Sequence, residues 1–185
     1  MKLTLIGGGG VRSPLFASTA LRWQARTGLT ELCLFDIDAR KLALFGALCR
    51  EVVRRGGEPF TVTSTTDARE ALTGARHVVT TIRAGFEQGR ALDERIALRH
   101  GVLGQETTGP GGFAMALRSI PAILDYARLL QQLNPGAWMY NFTNPAGLVT
   151  QALRDAGFEH TIGICDGANA GQISIAHWAG VEESR

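Results

Sequence analysis

The chain has little cysteine. Cys33, Cys49 and Cys165 lie far apart, with no CxxC pair among them. An odd, scattered set does not make a disulfide framework and fits reduced thiols in a cytoplasmic protein. Long hydrophobic runs are also missing: none approaches the roughly 18 residues that span a bilayer. The start carries one lysine and a short apolar stretch before four glycines, which is not a secretory signal pattern. Positive charge is neither abundant nor clustered. With a net charge of +2 and no basic run of five, nothing points to nucleic acid. Internal repeats and low-complexity segments are absent. What remains, 45% apolar and 19% charged residues over 185 positions, suffices for one domain with a real core.

Glycine, in contrast, is plentiful, and four stand together in MKLTLIGGGGVRSP. An apolar run (Leu3, Leu5, Ile6) leads into Gly7, Gly8, Gly9 and Gly10, and a helix-like stretch follows from Leu15. This order reads as a buried strand, a tight turn and a helix N-terminus, where free N–H groups and the helix dipole favour an anion. Gly8-x-Gly10-x-x-Ser13 approximates the dinucleotide fingerprint, with Ser where a third Gly or Ala is usual. A glycine run alone also fits a flexible turn. The next strand, Leu32–Phe35, shifts the balance because it ends at Asp36. That carboxylate stands close to the expected separation for a ribose-binding acid and favours NAD over NADP. Asp36 also fits a helix cap before Lys41–Arg50, and Arg40 lies nearby.

Helical spacing of Leu42, Phe45, Leu48, Cys49 and Val52 predicts a helix over Ala39–Arg54, stopped by Gly56-Gly57. Phe60–Thr63 reads as a third strand. Asp67 caps a short helix through Leu72 that Gly74 ends, and His77–Ile82 is a fourth strand. Such alternation predicts a parallel sheet covered by helices. Arg83–Gly112 is charged and glycine-rich and reads as a long functional loop after a strand's carboxyl end, with a helical turn or two at Arg90–Arg99. Phe113–Leu133 is a helix bent at Pro121. Ala137–Asn141 is a fifth strand, Pro145 starts a helix through Leu153, and Thr161–Ile164 is a sixth strand. A final helix runs Ala170–Trp178, before a polar tail, VEESR, that has no clear cap. The fold class is therefore α/β: a Rossmann-type doubly wound sheet of about six strands, with residues 1–185 as one dinucleotide-binding domain.

Three groups fall at the sheet's carboxyl edge: Arg83, Arg90 and Glu106; Asn141 and Asn144; Cys165 and Asp166. Cys165 fits either a small buried hydrophobe or a soft metal ligand, although no Cys/His cluster completes a site. Asp166 fits a general acid or base, or a helix cap. Arg90 fits an anion contact or a solvated loop arginine. His77, His160 and His177 read as structural or surface residues, and His100 lies in the loop without an identifiable partner.

Four stretches carry a resemblance that covers nearly the whole chain in order. IRAG…GRALDE (Ile82–Glu94), GQETTGPGGFAMALRSIP (Gly104–Pro121), NFTNPAG (Asn141–Gly147) and GICDG (Gly163–Gly167) resemble glycoside hydrolase family 4, most of all its 6-phospho-glucosidases. GGGGVRSP fits as well. The resemblance implies NAD and a divalent metal, usually Mn²⁺, as cofactors in place of the usual two-carboxylate mechanism. It implies oxidation of the sugar at C3, acidification of the C2 proton, metal stabilisation of an enolate, elimination of the aglycone, addition of water and return of hydride. By the same resemblance Cys165 is a metal ligand, Asp166 a proton donor, and Arg90 and Asn144 contact the substrate. Glu106 raises the basicity of a catalytic tyrosine, and Gly7, Gly8, Gly9, Gly10 and Asp36 form the NAD site. Neither Tyr126 nor Tyr140 matches that tyrosine.

Family members are much longer. The resemblance places their histidine metal ligand, catalytic tyrosine and further substrate arginine beyond Arg185, and their C-terminal domain is absent. It implies a small sugar-phosphate as substrate and identical subunits assembling in the full-length form, with no nucleic-acid or membrane partner. The 185 residues alone are expected to bind NAD weakly without turnover. Two alternatives stand beside this reading. One is an NAD-dependent 2-hydroxy-acid dehydrogenase of the malate type, which needs a His–Asp pair. The other is an NAD-binding module without catalysis.

Overall fold

The computed structural model describes residues 1–181; residues 182–185, most of the polar tail, lie outside the described residues. The chain alternates strand and helix from the start: β1 Lys2–Ile6, α1 Ser13–Thr27, β2 Glu31–Phe35, α2 Ala39–Arg55, β3 Thr61–Thr65, α3 Ala68–Leu72 and β4 Ala75–Thr80. Then come α4 Phe86–Arg99, α5 Gly109–Leu133, β5 Trp138–Asn141, α6 Ala146–Asp155, β6 Thr161–Gly163 and α7 Gly167–Ala179. All six strands pair in parallel, in the order β3-β2-β1-β4-β5-β6. The order reverses direction beside β1, so the crevice between the β1 and β4 ends is the switch point where such sheets bind ligands.

Alternation within the strands builds two cores. Leu5, Leu32 and Leu34 face one way and pack with Ala17, Leu42, Cys49 and Val53 of α1 and α2. Ile6, Cys33, Phe35, Val78 and Met139 face the other way, onto Leu72, Ile123, Ala127, Leu130, Val149 and Leu153 of α3, α5 and α6. Helix ends follow local chemistry. Asp38 caps α2 by accepting the Arg40 and Lys41 N–H groups, both at 3.1 Å. Asp67 does the same for α3, as its sequence position predicts. Gly180, at φ +65°, closes α7.

Several boundaries differ from the sequence reading. β3 begins at Thr61, the first residue paired with β2, and Phe60 is a buried plug ahead of it. β4 runs Ala75–Thr80 instead of His77–Ile82, because pairing with β1 starts at Lys2 and ends at Ile6. β5 omits Ala137, β6 stops at Gly163, and α7 begins three residues earlier than expected. The largest correction concerns Arg83–Gly112. It is no long loop: α4 occupies Phe86–Arg99, and α5 starts at Gly109. α5 runs continuously through Pro121. Among the described residues no helix is long and apolar enough to cross a membrane.

Candidate functional site

At the end of β1 the chain turns through the four glycines against β2. The Gly7 and Gly8 N–H groups both donate to Phe35 O, at 2.9 and 2.8 Å. Gly9 N–H donates to Asp36 Oδ2 at 2.9 Å, and Gly10 N–H to Gly7 O at 3.0 Å. Gly7 sits at φ +96°, a backbone region that suits glycine. A Cβ on Gly9 would lie 2.8 Å from Asp36 Oδ2 and 3.1 Å from Lys41 Cβ. The cradle is therefore one that side chains would fill. Ser13, at the fingerprint's third position, is buried and donates its N–H to Gly10 O at 3.0 Å.

Asp36 is half-buried at the end of β2. Its Oδ1 accepts the Asp38 N–H at 2.9 Å while Oδ2 holds Gly9. Asp38 caps α2, so the reading of Asp36 as that cap is overturned. Asp36 is thus a carboxylate fixed at the rim of the glycine cradle, and each of its oxygens keeps a lone pair beyond its one backbone bond. The cradle and Asp36 together fit a dinucleotide.

The second group is electrostatic. Arg83 Nη1 and Glu106 Oε1 lie 2.9 Å apart, both buried, at an angle too oblique for a hydrogen bond. Arg83 Nε also lies 3.3 Å from Glu87 Oε1. Seven residues on, Arg90 Nε donates to Glu94 Oε1 at 2.7 Å. That hydrogen bond, helped by the charge of Glu106, raises the Arg90 pKa above its ordinary value. Arg90 is thus a paired, half-buried arginine and not a free loop cation. Segment 104–108 is braced on itself: Gln105 Oε1 accepts the Thr107 and Thr108 N–H groups at 2.5 and 2.8 Å. Behind α4, Arg118 donates to both oxygens of buried Asp93 and to Ala84 O, which pins the segment to α5.

At the β5 end, Asn141 is buried and fully engaged. It accepts from Thr80 Oγ1 at 2.9 Å and donates to Thr143 O, Ala146 O and Thr150 Oγ1. Its role is to brace the β5–α6 turn. Asn144 is half-buried on that turn, and its side chain has no partner among the described residues. At the β6 end, Cys165 is exposed and free, which removes its reading as a buried hydrophobe. Asp166 makes no side-chain cap to α7. Its carboxylate instead lies 3.7 Å from Arg12 Nη1, and that guanidinium also stands 5.8 Å from the Phe142 ring. Sequence reasoning missed Arg12. Its placement in the glycine turn was visible, but its partner comes from the opposite margin of the sheet.

The histidines stay outside these groups. His77 Nδ1 meets Tyr140 OH at 3.1 Å, and burial pushes its pKa down. His160 stacks on Trp138. No histidine pairs with a carboxylate among the described residues, which is the pairing a malate-type dehydrogenase needs. Among the described residues no three His, Cys, Asp or Glu side chains cluster to hold a metal. Cys165 offers one soft donor, so these residues do not complete a divalent site by themselves.

Residues 2–180 match the family described as family 4 glycosyl hydrolase. A probable 6-phospho-beta-glucosidase of Bacillus subtilis is 42% identical over 169 residues, covering 90% of this chain and 38% of its own length. A 6-phospho-beta glucosidase from Thermotoga maritima, solved with manganese, NAD⁺ and glucose-6-phosphate, superposes with TM-score 0.90 at 31% identity, over 98% of this chain and 44% of that one. A 6-phospho-alpha-glucosidase from gut microorganisms, solved with NAD and Mn²⁺, gives TM-score 0.90 at 31% identity over 98% and 42%. The chain thus spans about two-fifths of the length of these relatives. A malate dehydrogenase from Salinibacter ruber, at 18% identity and TM-score 0.66, shares the fold alone.

Proposed function

The chain belongs to family 4 of the glycosyl hydrolases, and from that premise we propose that it is the dinucleotide-binding part of a 6-phospho-glucosidase. The observation that carries this reading is the Gly7–Gly10 cradle locked to Asp36, in a chain whose relatives were solved with NAD. Residues 1–185 form the NAD-binding domain. Bound there, NAD⁺ supplies a hydride acceptor for a sugar carbon. Gly7, Gly8, Gly9 and Gly10, which carry no side chains, let the diphosphate approach the start of α1 closely, and Asp36 receives the ribose hydroxyls.

The remaining roles follow the strand ends. Arg90 and Asn144 bind the sugar-phosphate, Arg90 as an always-charged donor already set in place by Glu94. Asp166 donates a proton, and Glu106 raises the basicity of a catalytic tyrosine supplied from elsewhere, with Arg83 beside Glu106 and Arg12 beside Asp166. Cys165 is one ligand of a divalent metal whose other donors come from elsewhere. The complete enzyme hydrolyses 6-phospho-glucosides by NAD- and metal-dependent oxidation, elimination and addition. It assembles from identical subunits and needs neither nucleic acid nor membrane. The 185 residues alone bind NAD weakly and do not turn over.

The test is calorimetric titration of NAD⁺ into the chain under reducing conditions, repeated with Mn²⁺ and glucose 6-phosphate. Binding that strengthens with both additions is expected. No NAD⁺ binding by a sample that melts cooperatively overturns the cofactor reading. Release of a chromogenic aglycone from a 6-phospho-glucoside by the chain alone overturns the division of labour.

A further inference from the structure

The lip of the crevice carries a contact that the proposed roles leave unexplained. Lys41, in the first turn of α2, runs its stem alongside the glycine turn, and its ammonium stands 5.1 Å from the centroid of the Phe86 ring. Phe86 opens α4 beyond β4. The contact therefore spans from the β2 side to the β4 side of the β1 end, across the crevice mouth.

Phe86 is built into this place at a cost. It adopts φ +53° directly after Gly85 at φ +86°, a left-handed pair in which the second residue is bulky. A large side chain in that region is an outlier that persists only when its surroundings impose it. Arg118 is the imposing group. It donates to Ala84 O at 3.1 Å, and a Cβ on Gly85 or Gly89 would come 2.9 or 3.2 Å from its guanidinium. With the segment pinned from behind, the Phe86 ring is turned toward α2 and left 44% exposed. The groups facing Lys41 are Asp38, at 3.7 Å from Nζ, and this ring. Both backbone N–H groups go to Asp38 Oδ1, and the ammonium faces Oδ2 at 3.7 Å, beyond hydrogen-bond distance, with the lysine side chain about half exposed, so it is not locked there.

We propose that Lys41 and Phe86 are two further dinucleotide-contacting residues, the ammonium facing the diphosphate over the glycine turn and the ring closing the crevice above it. The proposal rests on the reading of Gly7–Gly10 and Asp36 as the NAD site. A lysine is a compact point charge on a flexible stem, suited to an anion whose exact position varies. An aromatic face beside it accepts either a cation or a stacked base.

The experiment is NAD⁺ titration into the full chain at low and high salt, with Asp36→Ala as the control for the site. Lys41→Gln is expected to weaken NAD⁺ binding about fivefold at low salt and to flatten its salt dependence, because one screened charge is lost. Lys41→Arg restores both. Phe86→Asn suits the left-handed backbone, so it keeps or raises the melting temperature while weakening NAD⁺ binding by roughly tenfold. A merely structural role moves stability and affinity together. Wild-type affinity in Lys41→Gln and Phe86→Asn, with Asp36→Ala impaired, overturns this proposal and leaves the site reading intact. Absence of NAD⁺ binding by the folded wild-type chain overturns both.

Discussion

The two ends of the crevice are built differently. At the β1–β2 end, burial is nearly complete: Leu5, Ile6, Leu32, Leu34 and Phe35 are all buried, and the N–H of each turn glycine has an acceptor. At the β6–α7 end, Ile162 and Ile164 are about two-fifths exposed, and α7 buries Ala176 alone among its residues. Cys165 and Asp166 stand in water there, and an ion pair as exposed as Arg12–Asp166 contributes at most about 1 kcal/mol. The difference bears on the proposed division of tasks between the two ends. The proposed dinucleotide site draws on one βαβ unit, and that unit closes on itself. The end that carries Cys165 and Asp166 offers side chains without a wall around them, in a chain that spans about two-fifths of its relatives' length.

The sharpest way to break the comparison is to put the same methyl group at both ends. Gly7→Ala forces φ +96° on a residue with a Cβ and brings that atom 2.7 Å from Thr81 Oγ1 and 2.8 Å from Thr81 O. Strain and overpacking together cost about 3 kcal/mol. At Gly167 a Cβ would meet Cys165 Sγ at an ordinary 3.6 Å, so Gly167→Ala changes stability by less than about 0.5 kcal/mol. Urea unfolding of the two variants checks this. Equal losses would show that the β1 turn is no tighter than the β6 margin.

The same asymmetry governed what the sequence revealed. The first 82 residues were legible because every strand there is a short apolar or β-branched run bounded by turn residues, and every helix buries a face. Strand ends moved by a residue or two, since backbone pairing and not side-chain type decides where β3 and β4 begin. α4 was legible only in part, as a helical turn or two at Arg90–Arg99, for a physical reason. It buries Asp93 and Ala97, leaves Leu92, Ile96 and Leu98 exposed, and is laced by Arg90–Glu94, with Arg83–Glu87 at its entrance. A helix held by ion pairs shows no apolar stripe, so charge and glycine read as loop. At the site, Asp36 could be found by spacing along one chain segment. Arg12 could not, because nothing local announces a partner from β6. Arg83 and Glu106 were placed in one group, but their burial against each other needed the α4 turn to be seen.

Thiol chemistry sharpens the contrast with a smaller effect. Cys33 and Cys49 are buried in the closed half, and burial raises both pKa values, that of Cys49 to about 11. At pH 8 a thiol with that pKa is roughly one-thousandth thiolate, and the thiolate is the reactive form. Cys165 is exposed. A chromogenic disulfide reagent should therefore modify one thiol per chain at least about 100-fold faster than the other two, with Cys165→Ser removing the fast phase. Denaturant should bring all three to a common rate. Fast modification of two or three thiols in the folded chain would mean that the closed half opens readily.

The smallest effect is expected where the surface is most apolar. Trp178 is 82% exposed and Ile175 64%, both on α7. Side chains that remain in water on folding contribute little to stability, so Trp178→Ser should shift the unfolding free energy by less than about 0.5 kcal/mol. Leu34, fully buried on β2 in the core shared with α1 and α2, serves as the reference: Leu34→Ala should cost about 3 kcal/mol. Both variants are to be unfolded at two protein concentrations tenfold apart. If Trp178→Ser costs more than about 1 kcal/mol only at the higher concentration, the α7 face is covered by a second copy, because stability gained by association rises with protomer concentration. If it costs that much at both, Trp178 is buried within the chain itself, and the open margin on which the comparison depends does not exist in solution.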